Sequence, residues 1–108
     1  MDTPKQKDIV WMDFDPSKGK EIKKRRPALV VSRDEFNQHT GFCLVCPITS
    51  TNRDFSTYVT IKQPQQVEGE IVTHQLRSID FTKRHLEKIE QCDMLTWIEV
   101  VEVIDMFI

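Results

Sequence analysis

From Asp8 to Ile79 the chain is a succession of short β-branched, aromatic and apolar runs, each closed by a turn residue or a polar break. Many short strands followed by one helix restrict the fold to a small barrel-like α+β domain that is mainly β. DIVWMDFDP reads as a first strand stopped at Pro16, and Gly19 turns the loop that follows. PALVVSR opens a second strand at Pro27, where a missing N–H is tolerated. Asp34 to Gly41 is polar and reads as a loop or a single helical turn. FCLVCPI is apolar throughout, as a strand buried on both faces is. TYVTIK alternates, with Tyr58, Thr60 and Lys62 on one face and Val59 and Ile61 on the other.

GEIVT and QLRSI are expected as a strand pair or one long bent strand, followed by a helical turn over Thr82 to His85 capped by Asp80 or Thr82. From Asp93 the period changes. Met94, Leu95, Ile98, Val101, Val103, Ile104 and Ile108 recur mostly at helical intervals, with Glu99, Glu102 and Asp105 opposite. An acidic-faced amphipathic helix is expected, although Val100 to Ile104 also fits a strand. Its apolar side has two uses open to it, the barrel or a second copy of the chain.

At 108 residues the chain is expected to be one domain, residues 1–108, with a flexible polar arm over residues 1–7. Apolar residues at 39% and charged residues at 30% exclude a disordered chain. No apolar run approaches the roughly 20 residues of a membrane span, and MDTPKQKD lacks the apolar stretch of a signal peptide. A cytoplasmic protein without a membrane partner is expected. Cys43, Cys46 and Cys92 are an odd set, poorly suited to disulfides. Cys43 and Cys46 form a CxxC, but residues three apart on a strand face opposite ways, so core packing is favoured over zinc or redox chemistry.

The net charge of −2 gives no global signal for nucleic acid. Its distribution does. Lys18, Lys20, Lys23, Lys24, Arg25 and Arg26 crowd one loop, opposed there by Glu21 alone. Such a loop suits phosphate contacts, for which Lys18, Lys24 and Arg25 are the candidates. Trp11 and Phe14 fit base stacking or, more commonly, core packing. His39 and His85 belong to no constellation.

DIVWMDFDPSKGKEIKKRRPALVVS, then Asn37, then FCLVCPITS, then HQLRSID, resembles the MazF/PemK/Kid toxins in order and spacing. The likeness runs from about Asp8 to the C-terminus, and its strength lies in the joint pattern. It implies an SH3-like barrel of the CcdB/MazF/PemK type with short helices and a C-terminal helix, paired as a homodimer. It implies the toxin of a type II toxin–antitoxin system, an endoribonuclease that cuts single-stranded RNA, messenger RNA above all, at short sequences with no cofactor or metal. The implied partner is a MazE-like antitoxin whose disordered acidic tail covers the RNA site. Lys7 stands where the family usually has glycine, and His74 where many members carry an acid. The first departure implies only a local change in a turn.

Metal-free RNA cleavage uses the substrate's own 2′-hydroxyl as nucleophile and leaves a 2′,3′-cyclic phosphate and a 5′-hydroxyl. It needs a proton acceptor, a proton donor and a fixed positive charge. By position-matching, Arg26 carries the charge, since its guanidinium grips a phosphate through two parallel hydrogen bonds. The residues alone would leave Arg26 one more solvated arginine. Thr49 in PITS matches the second catalytic position, against the plain alternative that Thr49 and Ser50 bond the turn backbone. Glu21 is a candidate to hold Arg26 or accept a proton, and His74 a candidate acid or base. Asn37 and Gln75 match positions near the RNA groove and carry amides suited to base edges, with Ser50, Arg77 and Ser78 as further contacts. Two alternatives stay open. The same barrel in the CcdB toxins poisons gyrase without cutting nucleic acid, and small barrels also bind single strands without cleaving them.

Overall fold

The computed structural model describes residues 3–14, 25–51 and 55–108. The described strands are β1 (Asp8–Asp13), β2 (Arg25–Val30), β3 (Phe42–Thr49), β4 (Tyr58–Thr60), β5 (Glu70–Val72), β6 (Arg77–Asp80) and β7 (Glu87–Gln91). They join one antiparallel sheet in the order β4-β5-β3-β2-β1-β7. β3 is the hub. Its first half pairs β6 from Phe42 to Val45, and its end pairs β5 at Ile48 and Thr49. Helix α1 (Asp34–Thr40) bridges β2 and β3, and α2 (Met94–Phe107) closes the chain.

Both faces of the sheet are apolar, which explains strand runs without polar alternation. Ile9, Leu29, Cys46 and Ile48 face one core, which Val100 and Val103 of α2 complete. Val10, Met12, Ala28, Val30, Cys43 and Val45 face the other. Each fully buried aliphatic contributes roughly 1.5–3 kcal/mol. The two-residue period therefore puts Cys43 and Cys46 in different cores, as their spacing requires. Burial pushes both thiols up to about 12.

GEIVT and QLRSI form separate strands because a 3₁₀ turn, Thr73–Gln75, intervenes. The second 3₁₀ turn spans Phe81–Lys83, and Asp80 caps it by accepting from Thr82 N at 3.0 Å. Asp34–Thr40 makes an α-helix rather than one turn, with Gly41 as its C-cap. Segment 87–91, with only Ile89 apolar, supplies an edge strand paired to β1.

The polar arm corrects one expectation. Residues 3–7 are tied down: Gln6 Nε2 donates to Val31 O at 3.0 Å, Gln6 N to Asp34 Oδ1 at 2.8 Å, and Lys7 N to Val30 O at 2.8 Å. Lys7 sits at φ 80°, so the turn keeps a glycine-like shape with a side chain in it. A left-handed L-residue carries a penalty of roughly 1–2 kcal/mol. Lys7→Gly is expected to raise stability by about 0.5–1 kcal/mol after its extra unfolded-chain entropy is deducted. Urea denaturation checks this, and an unchanged or lower midpoint contradicts it.

α2 begins at Asp93, whose carboxylate accepts from Thr96 N at 3.0 Å and Thr96 Oγ1 at 2.8 Å, while Lys62 N donates to Thr96 Oγ1 at 2.8 Å. Partial burial opposes ionisation of Asp93, but these bonds and one from Gln63 N outweigh it and lower its pKa. Because the folded value lies below the unfolded one, the stabilisation is complete above pH 3.8 and fades as pH falls through the folded value. Asp93→Ala should cost about 1 kcal/mol at neutral pH, whereas Asp93→Asn keeps the cap and flattens this acid dependence. Equal melting temperatures for the two variants at pH 7 would contradict it.

The outer side of α2 is not the acidic face expected. Glu99 pairs with Lys62, and Leu95, Ile98 and Val101 lie exposed between the acids. Both expected uses of the apolar residues are thus available: Val100 and Val103, with Trp97 and Ile104 beside them, pack on the sheet, and Leu95, Ile98 and Val101 face outward.

Candidate active site

β2 and β3 run antiparallel with Ala28 opposite Pro47, so the start of β2 lies beside the end of β3. This pairing brings Arg26 and Thr49 to the same ends of neighbouring strands. Both are half-buried, with backbones fixed by the sheet. Together they line two adjoining recesses. One, of about 250 Å³, is lined by Arg25, Arg26, Pro27, Ile48, Thr49, Ser50 and Glu68. The other, of about 430 Å³, is lined by Arg26, Pro47, Thr49, Thr51, Phe55, Tyr58, Val72, His74 and Gln75. Arg26 and Thr49 border both.

The Thr49 hydroxyl accepts from Thr51 N at 3.1 Å, the turn bond that such residues commonly make. Among the described residues, no acceptor takes the Thr49 O–H proton. Gly69 holds the backbone beneath it. With φ 138°, its Cα lies so close to β3 that a Cβ there would stand 2.5 Å from Thr49 O.

His74 is the middle residue of the 3₁₀ turn and Gln75 its last, and both line the larger recess. His74 Nδ1 is 2.7 Å from Thr57 Oγ1, its ring stacks on Tyr58 at a centroid separation of 5.9 Å, and Phe55 meets it edge-on at 6.0 Å. Phe55 and Tyr58 were missed in the sequence because they and His74 are far apart along the chain. A histidine among strand aromatics is the only sequence signal for the cluster.

The other expected site residues divide between the recesses and other parts of the fold. Arg25 sits in the smaller recess but is paired to Asp13 at 3.1 Å and to Glu87 at 3.4 Å, so a phosphate must compete with two carboxylates. The bond from His85 and then that from Arg25 hold the Asp13 carboxyl below its ordinary range. Arg77 donates to Phe14 O at 2.7 Å with its guanidinium 5.0 Å over the Phe14 ring, and it lines neither recess. Phe14 is core, and Trp11 is exposed. Lys18, Glu21 and Lys24 lie outside the described residues.

Asn37 requires a correction. Its side chain is fully buried: Nδ2 donates to Pro4 O at 2.9 Å and Oδ1 accepts from Ser32 Oγ. With its polar atoms occupied beneath the N-terminal arm, it cannot read a base. Asn37→Ala should cost about 2–4 kcal/mol by stranding these partners and opening a cavity, while RNA affinity of the folded protein is unchanged. A normal urea midpoint with weakened RNA binding would reverse this assignment.

A model of the PemK-like, MazF-like toxins of type II toxin–antitoxin systems matches residues 5–108. The chain belongs to that family. It is 35% identical over 85 residues to the endoribonuclease toxin MazF of Escherichia coli K12, covering 79% of this chain and 76% of that protein. It is 38% identical over 88 residues to the endoribonuclease toxin ChpB of the same strain, covering 76% and 74%. Its fold superposes on the MazE–MazF crystal structure from Deinococcus radiodurans with a TM-score of 0.90 and 30% identity, covering 99% of this chain and 96% of that one. The antiparallel sheet with two helices is the family's fold, so the mainly β α+β expectation holds.

Proposed function

We propose that this type II toxin, an endoribonuclease, cuts single-stranded RNA without a metal through Arg26 and Thr49. The observation that carries the reading is their meeting on the border of two adjoining recesses, one basic and one aromatic. A single strand crossing that border would set a phosphate at Arg26 and a base in the larger recess. The 2′-hydroxyl attacks the adjacent phosphorus and the bond to the 5′-oxygen breaks. One proton leaves the 2′-oxygen and one arrives on the 5′-oxygen.

Guanidinium hardly loses its proton, so Arg26 stabilises the charge growing on the phosphoryl oxygens rather than acting as base. Thr49 adds a hydroxyl donor to the same oxygens. Histidine is the side-chain type suited to accept a proton near neutral pH, and His74 lines the same recess. Ser50 and Gln75, each lining one of the two recesses, would contact the strand, and Lys18, Glu21 and Lys24 precede Arg25 in the sequence.

The names of the relatives favour cleavage over gyrase poisoning or simple RNA binding. Replacing the ribose on the 5′ side of the cut by deoxyribose should abolish cleavage while leaving binding nearly intact. Cleavage of the deoxy substrate would refute the internal nucleophile.

We further propose a homodimer and an antitoxin of the MazE kind. The apolar outer face of α2, with Leu95, Ile98 and Val101, adjoins a recess of about 410 Å³ lined partly by Leu44, Leu76 and Trp97. An apolar patch of this kind suits a protein interface, and a two-fold dimer would present two equivalent RNA grooves. An antitoxin with a disordered acidic tail would complement the cluster of lysines and arginines from Lys18 to Arg26. No described helix is long and apolar enough to cross a membrane; a toxin that acts on messenger RNA would work in the cytoplasm. Sedimentation at micromolar concentration should give twice the monomer mass; a monomer would contradict the dimer.

A further inference from the structure

Phe55 is 55% exposed, although a core role would have covered its ring. It is not isolated. Phe55 and Tyr58 meet edge to face at a centroid separation of 5.5 Å, and Tyr58 and His74 stack with an interplanar angle of 30°. The three rings occupy one wall of the recess that Arg26 and Thr49 border.

The wall is rigid. Thr73 donates from N at 3.2 Å and from Oγ1 at 2.7 Å to Thr57 O, and Thr57 Oγ1 bonds His74. Tyr58 pairs with Val72 across β4 and β5. The two segments that carry the rings are therefore held together by backbone and side-chain bonds before any ligand arrives, which lowers the ordering cost of binding. Among the described lining residues none is Asp or Glu, so nothing there repels a polyanion. Gln75, Thr49 and Thr51 put amide and hydroxyl groups around the rings.

We infer that Phe55, Tyr58 and His74 form a stacking site for one nucleobase flanking the scissile phosphate, with the Gln75 amide reading that base's edge. The inference rests on the ribonuclease reading above and adds a specificity subsite to it. Flat π-faces a short step from a guanidinium suit a nucleotide: the phosphate goes to Arg26 and its base to the rings. Stacking holds any base, and selection among bases falls to the polar groups at the rim.

The test begins by mapping the cut sequence with the wild-type dimer. Short RNAs carrying that sequence are then made with an abasic residue at each position in turn. For wild type, an abasic residue at one position beside the cut should lower kcat/KM by about ten- to a hundredfold, as loss of a stacked base does. Phe55→Leu keeps an apolar side chain but no π-face, so its abasic penalty should shrink to about threefold or less, while Phe55→Tyr should restore the penalty. Tyr58→Leu serves as a second, independent probe of the wall. An abasic penalty equal in wild type and Phe55→Leu would overturn the stacking site while leaving the ribonuclease intact. A wild-type protein that cuts no RNA would remove both.

Discussion

Arg26→Ala should lower kcat by about 10²–10³-fold with a smaller change in KM, the loss typical of removing one preorganised donor from a developing oxyanion. Arg26 is half-buried at the start of β2, where Met12 faces it across the pair. Trimming it leaves the sheet's backbone bonds in place, so the melting temperature should hold. Arg26→Lys keeps the charge but not the two-pronged grip, and should fall between wild type and alanine. Thr49→Ala should lose about tenfold or more, and the double variant should lose less than the product if, as proposed, the two groups act on one phosphate. Full activity in Arg26→Ala, measured on a folded protein, would remove the centre of the mechanism.

The second large effect is expected at Gly69. Alanine there would bring its Cβ to 2.5 Å from Thr49 O and 3.2 Å from Thr49 C, with backbone rather than a pliable side chain as the obstacle. The φ of 138° adds strain of roughly 1–3 kcal/mol for any residue with a Cβ. The end of β3 must move, and Thr49 with it. A shift on the order of 1 Å in a positioning group can cost about a hundredfold in rate. Gly69→Ala should therefore lose both stability and catalysis, the latter persisting at temperatures where the variant is folded. Gly41→Ala is the control, since a Cβ there meets nothing within 4 Å although φ is 76°; it should cost stability alone. Normal kcat in Gly69→Ala would show that Thr49 is not held from below.

Much of the fold was legible because its signals are local. The apolar runs around Ile9, Leu29 and Val45 fix strands by their period, and Asp93 announces α2 by the cap it makes with Thr96. What failed was decided by tertiary contacts. Glu87–Gln91 has one apolar residue and the charge of a loop, yet it completes the sheet as an edge strand on β1. Charged side chains there also discourage further pairing. Helix α1 lacks a side-chain cap, and the buried Asn37 ties it to Ser32 and Pro4.

The same division runs through the site. Arg26 and Thr49 are singled out only by likeness to a family, because an arginine among basic neighbours and a threonine at a strand end have commoner uses. The antiparallel pairing of β2 with β3 then accounts for their closeness. Asn37 misled because an amide suited to a base edge is equally suited to a buried network. The ring cluster was invisible because Phe55 and Tyr58 adjoin His74 only through the β4–β5 pairing and the Thr57–Thr73 bonds.

The central claim is that this toxin cleaves RNA with its own side chains and the substrate's 2′-hydroxyl. Its most direct test is incubation of purified protein with a long unstructured RNA in EDTA, followed by chemical mapping of the new ends. Discrete cuts at one short sequence, ending in 2′,3′-cyclic phosphate and 5′-hydroxyl and absent with Arg26→Ala, are expected. Intact RNA from a folded dimer, cleavage abolished by EDTA, or 5′-phosphate ends would contradict it.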